Sequence, residues 1–178
     1  MKKKALWITE TAVMLALLIA LQALTKPMGQ LVTGSAVNAV LAVTVLMCGL
    51  SSGLTVALIS PVFAYLFGIA PNLVTVPVIM IGNAVYVLIL HKAGGKGIVK
   101  KIIAVLAASL AKFAVLYVLV TYVICGVMAQ PLLDQGLLKT PMLKALPTTF
   151  AAPQLVTALI GGTQASLIVS PLKKALHR

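Results

Sequence analysis

Six stretches of nearly uninterrupted apolar side chains, each close to the length of a membrane-spanning helix, dominate this sequence and leave little chain between them. They cover about 6–24, 31–48, 53–68, 72–90, 102–129 and 148–169. A bilayer core about 30 Å thick needs roughly 20 residues of α-helix, and it tolerates no unpaired backbone N–H or C=O. With 61% hydrophobic and 9% charged residues among 178, the chain also lacks the polar surface of a soluble domain. The expected fold is therefore an all-α bundle of six transmembrane helices, one integral-membrane domain over 1–178. Such a chain has no room for a soluble catalytic domain.

Breakers punctuate the pattern. Pro27 and Gly29 end the first segment, GLSSG at 49–53 turns tightly into the third, and Ala70-Pro71 opens the fourth. Pro61 is expected to kink the third helix, Pro77 falls inside the fourth, and Pro131, Pro141 and Pro147 mark a longer loop. The basic start followed by an apolar run resembles a secretory signal, but no small-residue cleavage site precedes Lys26-Pro27 and equally apolar segments follow. It reads as the first helix.

The net charge is +12, and its distribution speaks for membrane topology rather than nucleic acid. Lys2, Lys3, Lys4, Lys92, Lys96, Lys100, Lys101, Lys173, Lys174 and Arg178 fall on one side of a six-span arrangement, against Lys26, Lys139 and Lys144 on the other. The positive-inside rule makes the first side cytoplasmic, and an even number of spans puts both termini there. The expected location is the plasma membrane, as a multi-pass protein.

Several chemistries drop out. Gly94-Gly95-Lys96-Gly97 lacks the spacing and the Ser or Thr of a P-loop and reads as a flexible turn. Glu10 and Asp134, the chain's two acids, belong near opposite membrane faces, which argues against a carboxylate pair, a proton relay or an acidic metal cage. Cys48 and Cys125 lie within apolar runs as small hydrophobes. His91 and His177 suit helix ends at the interface. No catalytic residue, metal site or bound cofactor is expected.

The polar residues inside the spans are the candidates for function. Lys112 lies about ten residues into the fifth segment, roughly 15 Å from its start and near mid-membrane. A lysine there costs about 2.5 to 3.5 kcal/mol and faces a cavity or a partner rather than lipid. Neither acid is placed to pair with it, so its compensation must come from amides such as Asn83, backbone carbonyls, water or an anionic group on a substrate. The alternatives are a lysine that snorkels to an interface or one that is neutral. Asn72 and Asn83 lie within about 20° of one helical face, with Tyr86 a turn further on. Asn38 follows Ser35 by a turn on the second segment, and the last segment carries Gln154, Thr157, Gly161, Gly162 and Gln164. Tyr122 offers a stacking face and a hydroxyl. Each of these polar groups either binds a ligand or hydrogen-bonds between helices; packing accounts for the glycines.

About six helices in fewer than 200 residues, AVMLALLIA at 12–20, TGSAVN at 33–38, SPVFAYLFG at 60–68 and a Gly-rich last helix resemble the substrate-binding S-component of energy-coupling factor (ECF) vitamin transporters. The resemblance covers nearly the whole chain and rests on short motifs. It implies capture of a vitamin or related micronutrient from outside, with a transmembrane T-component and two cytoplasmic ATPases using ATP on other chains. It also implies that the Ala12, Ala16 and Ala20 stripe docks on the T-component, where packing inside the chain's own bundle is the alternative. The substrate-binding set is then Asn38, Asn72, Asn83, Tyr86, Lys112, Tyr122, Gln154 and Thr157, around a cavity opening outward between the fourth, fifth and last helices. The loops after the first helix and before the last would roof it. A solitary transporter or channel, or less readily a membrane enzyme, is the rival reading.

Overall fold

The structure, a computed structural model, describes residues 2–93 and 97–175, with side chains from Lys4 onward. Gly94, Gly95, Lys96, His177 and Arg178, used in the topology argument, lie outside the described residues, as do the side chains of Lys2 and Lys3. Among the described residues the chain is mostly helical, without strands. The elements are α1 (Lys2–Thr25), a 3-10 turn (Lys26–Met28), α2 (Gln30–Cys48), α3 (Leu50–Leu66), α4 (Thr75–Ala93), α5 (Ile98–Val118), a π-helical continuation of α5 (Leu119–Val127), α6 (Ala129–Asp134), α7 (Thr140–Thr149) and α8 (Ala152–Ala175).

Five of the helical stretches are long and apolar enough to cross a membrane: Lys4–Met28, Gln30–Cys48, Thr75–Ala93, Ile98–Val127 and Ala152–Ala175. The sixth apolar helix, α3, has 17 residues and stands at the short limit for a span. Outward-facing Leu6, Ile8, Val13, Leu110, Ile160 and Leu167 are all exposed, which is compatible with a bundle whose solvent is lipid.

α2 occupies the centre, packed most extensively on α8 and also on α1, α3 and α4; α5 packs on α4 and α8. Small residues permit the closest approach. A Cβ on Gly161 of α8 would stand 2.6 Å from the Ala39 amide nitrogen and the Ser35 carbonyl oxygen of α2, so only glycine lets these backbones meet. Gly49, at φ 90, reverses the chain from α2 into α3 in a single residue, a conformation that favours glycine. Leu18, Leu41, Val56, Val87, Leu90 and Ala108 form the main core. A second cluster joins Leu116, Val120 and Ile124 to Leu132, Leu138, Leu146 and Phe150.

The start of α1, the α2–α3 turn and the end of α8 gather at one end, the base. The 3-10 turn, the α3–α4 link, α6 and α7 form the other end, the cap.

Four expectations about the elements change. The fourth helix begins at Thr75, so Asn72 precedes it and Pro77 falls in its first turn, where a missing N–H breaks no intrahelical bond. Asn72 Oδ1 accepts from the Val74 amide at 2.9 Å and holds the link outside the helix. The fifth helix changes to π-helical winding after Val118. The stretch expected as a loop coils into α6 and α7 because Leu132, Leu138 and Leu146 bury against the second cluster. The last helix runs Ala152–Ala175 rather than 148–169.

Candidate functional site

Lys112 lies deep in the bundle on α5, only 3% exposed, where no carboxylate reaches it. Two amides from different helices hold its ammonium: Nζ donates to Asn38 Oδ1 of α2 at 2.6 Å and to Asn83 Oδ1 of α4 at 2.7 Å. The amide nitrogens are engaged elsewhere, which turns both oxygens toward the lysine. Asn38 Nδ2 donates to Gly34 O at 2.9 Å and to Thr157 Oγ1 of α8 at 3.3 Å, and Asn83 Nδ2 donates to Ala57 O of α3 at 3.5 Å. The Tyr86 ring centroid lies 5.4 Å from Nζ, within reach of a cation–π attraction, and the Tyr86 hydroxyl donates to Ala158 O at 3.1 Å. A fully buried network thus ties together α2, α3, α4, α5 and α8. An ammonium carries three donors, and the two amides accept two of them.

Above this layer, toward the cap, opens a cavity of about 360 Å³, in the size range of small-molecule sites. Lys112, Asn38 and Asn83 line its inner part, and Val37, Pro61, Ala64, Ile79 and Phe150 are among its apolar wall. Gln22, Lys26, Gln30, Thr33, Ser60 and Gln154 supply polar groups. Lys26 of the 3-10 turn and Thr149-Phe150, from the two connections expected as a roof, also border it.

Its position differs from the expected cleft between the fourth, fifth and last helices. The walls come largely from α2, α3 and the α3–α4 link, with Gln22 the contribution of α1 and Gln154 that of α8. The reason is the tight α2–α8 seam: a Cβ on Gly34 would come within 2.9 Å of Thr157, and Gly161 meets the α2 backbone directly. Close packing there leaves the free volume nearer the cap, where Gly34 and Gln154 still border it.

The candidate residues separate into three groups. Asn38, Asn83, Tyr86, Lys112 and Thr157 form the buried network, and Gln154 lines the cavity nearer the cap. Asn72 braces the cap instead, donating to Leu137 O at 2.5 Å and to Met142 Sδ at 3.6 Å. Tyr122 is 62% exposed and packs edge-to-face on Tyr117, centroids 6.5 Å apart, away from the cavity wall. Ala12, Ala16 and Ala20 all face outward from α1 rather than into the bundle.

Sequence reasoning passed over Gln22, Ser60, Lys26, Gln30, Thr33 and Phe150. Gln22 carried a usable signal, being a lone amide within the apolar run LLIALQAL. Ser60 stood only at the head of SPVFAYLFG, as part of a resemblance rather than as a binding group, and Phe150 reaches the wall through the α7 fold, which no local pattern announced.

Fold and site define an all-α bundle, apolar outside, with a mainly apolar cavity over a buried, amide-held lysine. No protein-family model, no curated protein and no solved structure matches this chain.

Proposed function

We propose that this chain is a six-span, multi-pass plasma-membrane protein with both termini cytoplasmic, acting as the substrate-capturing subunit of an ECF-type transporter. It takes a vitamin-like small molecule from outside into the cavity beneath the cap. ATP is used by separate ATPase subunits, and a T-component couples them to this chain; no covalent chemistry is assigned to it.

The observation that carries this reading is the cavity itself. A buried lysine, held by neutral amides at the inner part of a cavity that opens beneath the cap, fits a binding site better than a structural pairing, which would have supplied a carboxylate. The outward alanine stripe supports the partner: Ala12, Ala16 and Ala20 leave a smooth face on α1 that another helix can approach closely.

The test is uptake by cells carrying this chain alone or with the T-component and both ATPases. Uptake only with the partners is expected. Uptake by the chain alone would replace this reading with a solitary transporter. Ala16→Leu should retain ligand binding and lose partner-dependent uptake. Single cysteines placed at Lys100 and Gln135 in a background lacking Cys48 and Cys125 should label from the cytoplasm and from outside, respectively; labelling of position 100 from outside would refute the orientation.

A further inference from the structure

The cavity wall is polar on one side and carries one sign of charge. Among the described residues that line it, the charged ones are Lys26 and Lys112, and none is acidic. Two further wall groups lack partners. Gln22, 3% exposed, and Ser60, 0% exposed, have Oε1 and Oγ that find no hydrogen-bond partner in the protein. Leaving such groups buried and unpaired is costly, so a wall that keeps them is suited to a ligand that pairs them.

Their depth follows from helix register. α1 and α3 run parallel, and Thr11 Oγ1, which donates to Ser52 Oγ at 2.8 Å near the base, sets their alignment; Lys26 Nζ, donating to Phe67 O at 2.6 Å under the cap, joins residues with the same separation of 41. Gln22 is therefore level with Phe63. Ala57, whose carbonyl accepts from Asn83, marks the Lys112 layer on α3. By the helical rise, Ser60 stands about 4.5 Å above that layer, Gln22 about 9 Å and Lys26 about 15 Å.

Resting on the capture reading, the geometry points to a ligand class: a small monocarboxylate with an apolar body and an uncharged N–H or O–H donor at the cap-side end of that body, away from the carboxylate. The carboxylate takes the remaining donor of Lys112, and the neutral donor pairs Ser60 Oγ or Gln22 Oε1. Lys26 is exposed near the cap, which leaves Lys112 as the one buried cation; it neutralises one negative charge, so a dianionic phosphate at its layer would bring in an uncompensated one. An ammonium group on the ligand would meet two lysines and no carboxylate. The body lies against Val37, Pro61, Ala64, Ile79 and Phe150.

Four probes separate these features: 3-(4-hydroxyphenyl)propionate, 3-phenylpropionate, the methyl ester of the first, and tyramine. Binding to the purified full chain is measured by calorimetry in detergent. The hydroxylated acid should bind at least tenfold more tightly than 3-phenylpropionate, and the ester and tyramine should give no saturable signal. Lys112→Met should weaken both acids at least tenfold, whereas Lys112→Arg, which keeps the charge and controls for folding, should retain them. Ser60→Ala combined with Gln22→Met should close the gap between the two acids to within about threefold. Binding of tyramine or the ester as tight as that of the acid, no binding of either acid, or indifference to Lys112→Met would each overturn the assignment. Partner-dependent uptake by a chain that binds neither acid would remove this inference and leave the capture reading standing; acid binding without partner-dependent uptake would do the reverse.

Discussion

The bundle has a second cavity at the base, and it is the larger, about 830 Å³ against about 360 Å³ beneath the cap. It too borders two lysines, Lys101 and Lys173, with His91 beside them in its wall. Yet these side chains sit at helix ends: His91 and Lys173 are exposed, and half-buried Lys101 donates to Ser170 Oγ. A solvated cation keeps most of its hydration and demands no partner. Lys112, stripped of water, has to be held, and the protein commits two amides and an aromatic ring to it. Of the two cavities, the one around the costly charge is the better candidate, though it has less volume.

The sharpest way to break this comparison removes one charge from each cavity. Lys112→Met should cost at least tenfold in affinity for 3-(4-hydroxyphenyl)propionate, about 1.4 kcal/mol or more, while Lys101→Met should leave affinity within twofold. Calorimetry on both variants reads the difference, and an equal loss at position 101 would cancel the distinction.

A second variant asks whether the cap-side site depends on the α2–α8 seam. Gly161→Ala places a methyl 2.6 Å from Asn38 Cβ and from two α2 backbone atoms, and should destabilise the protein by about 1–3 kcal/mol. Gly126→Ala, whose methyl would meet only Thr121 O at 3.6 Å, is the matched control and should shift the melting temperature little. Equal melting of the two variants in detergent would mean that the seam yields without cost.

The smallest effects compare two hydrogen bonds. Tyr86→Phe removes the buried bond to Ala158 O but keeps the ring beside Lys112, and should lower stability by about 0.5–1.5 kcal/mol with little change in ligand affinity. Ser170→Ala, at the part-buried contact with Lys101, should stay within about 0.5 kcal/mol. Thermal unfolding of the pair tests whether burial separates the two ends as their charges do.

Much of the site was legible because hydrocarbon makes polar residues conspicuous. Lys112, Asn38, Asn83, Tyr86 and Thr157 stood out as the expensive groups in apolar segments, and the amide compensation expected of Asn83 is present at 2.7 Å. Asn72 was misplaced by three residues of helix boundary, enough to move it from a helix face to a brace on the cap. Tyr122 was indistinguishable in sequence from a cavity residue, since a tyrosine at a helix end is equally at home facing outward.

The sequence by itself determined that this chain is an all-helical bundle of apolar segments with one lysine too deep to be solvated. That much follows from composition and span length, which act locally on every residue. Only the tertiary structure decided which side of α2 would open. Gly34 and Gly161 draw α8 onto α2 and close that seam, so the free volume falls mainly against α2, α3 and the α3–α4 link, where Gln22 and Ser60 become wall groups. Close backbone approach depends on Gly34 meeting Thr157 and Gly161 meeting Ser35, Asn38 and Ala39, partners more than a hundred residues apart in the chain, and no periodicity within either helix records it.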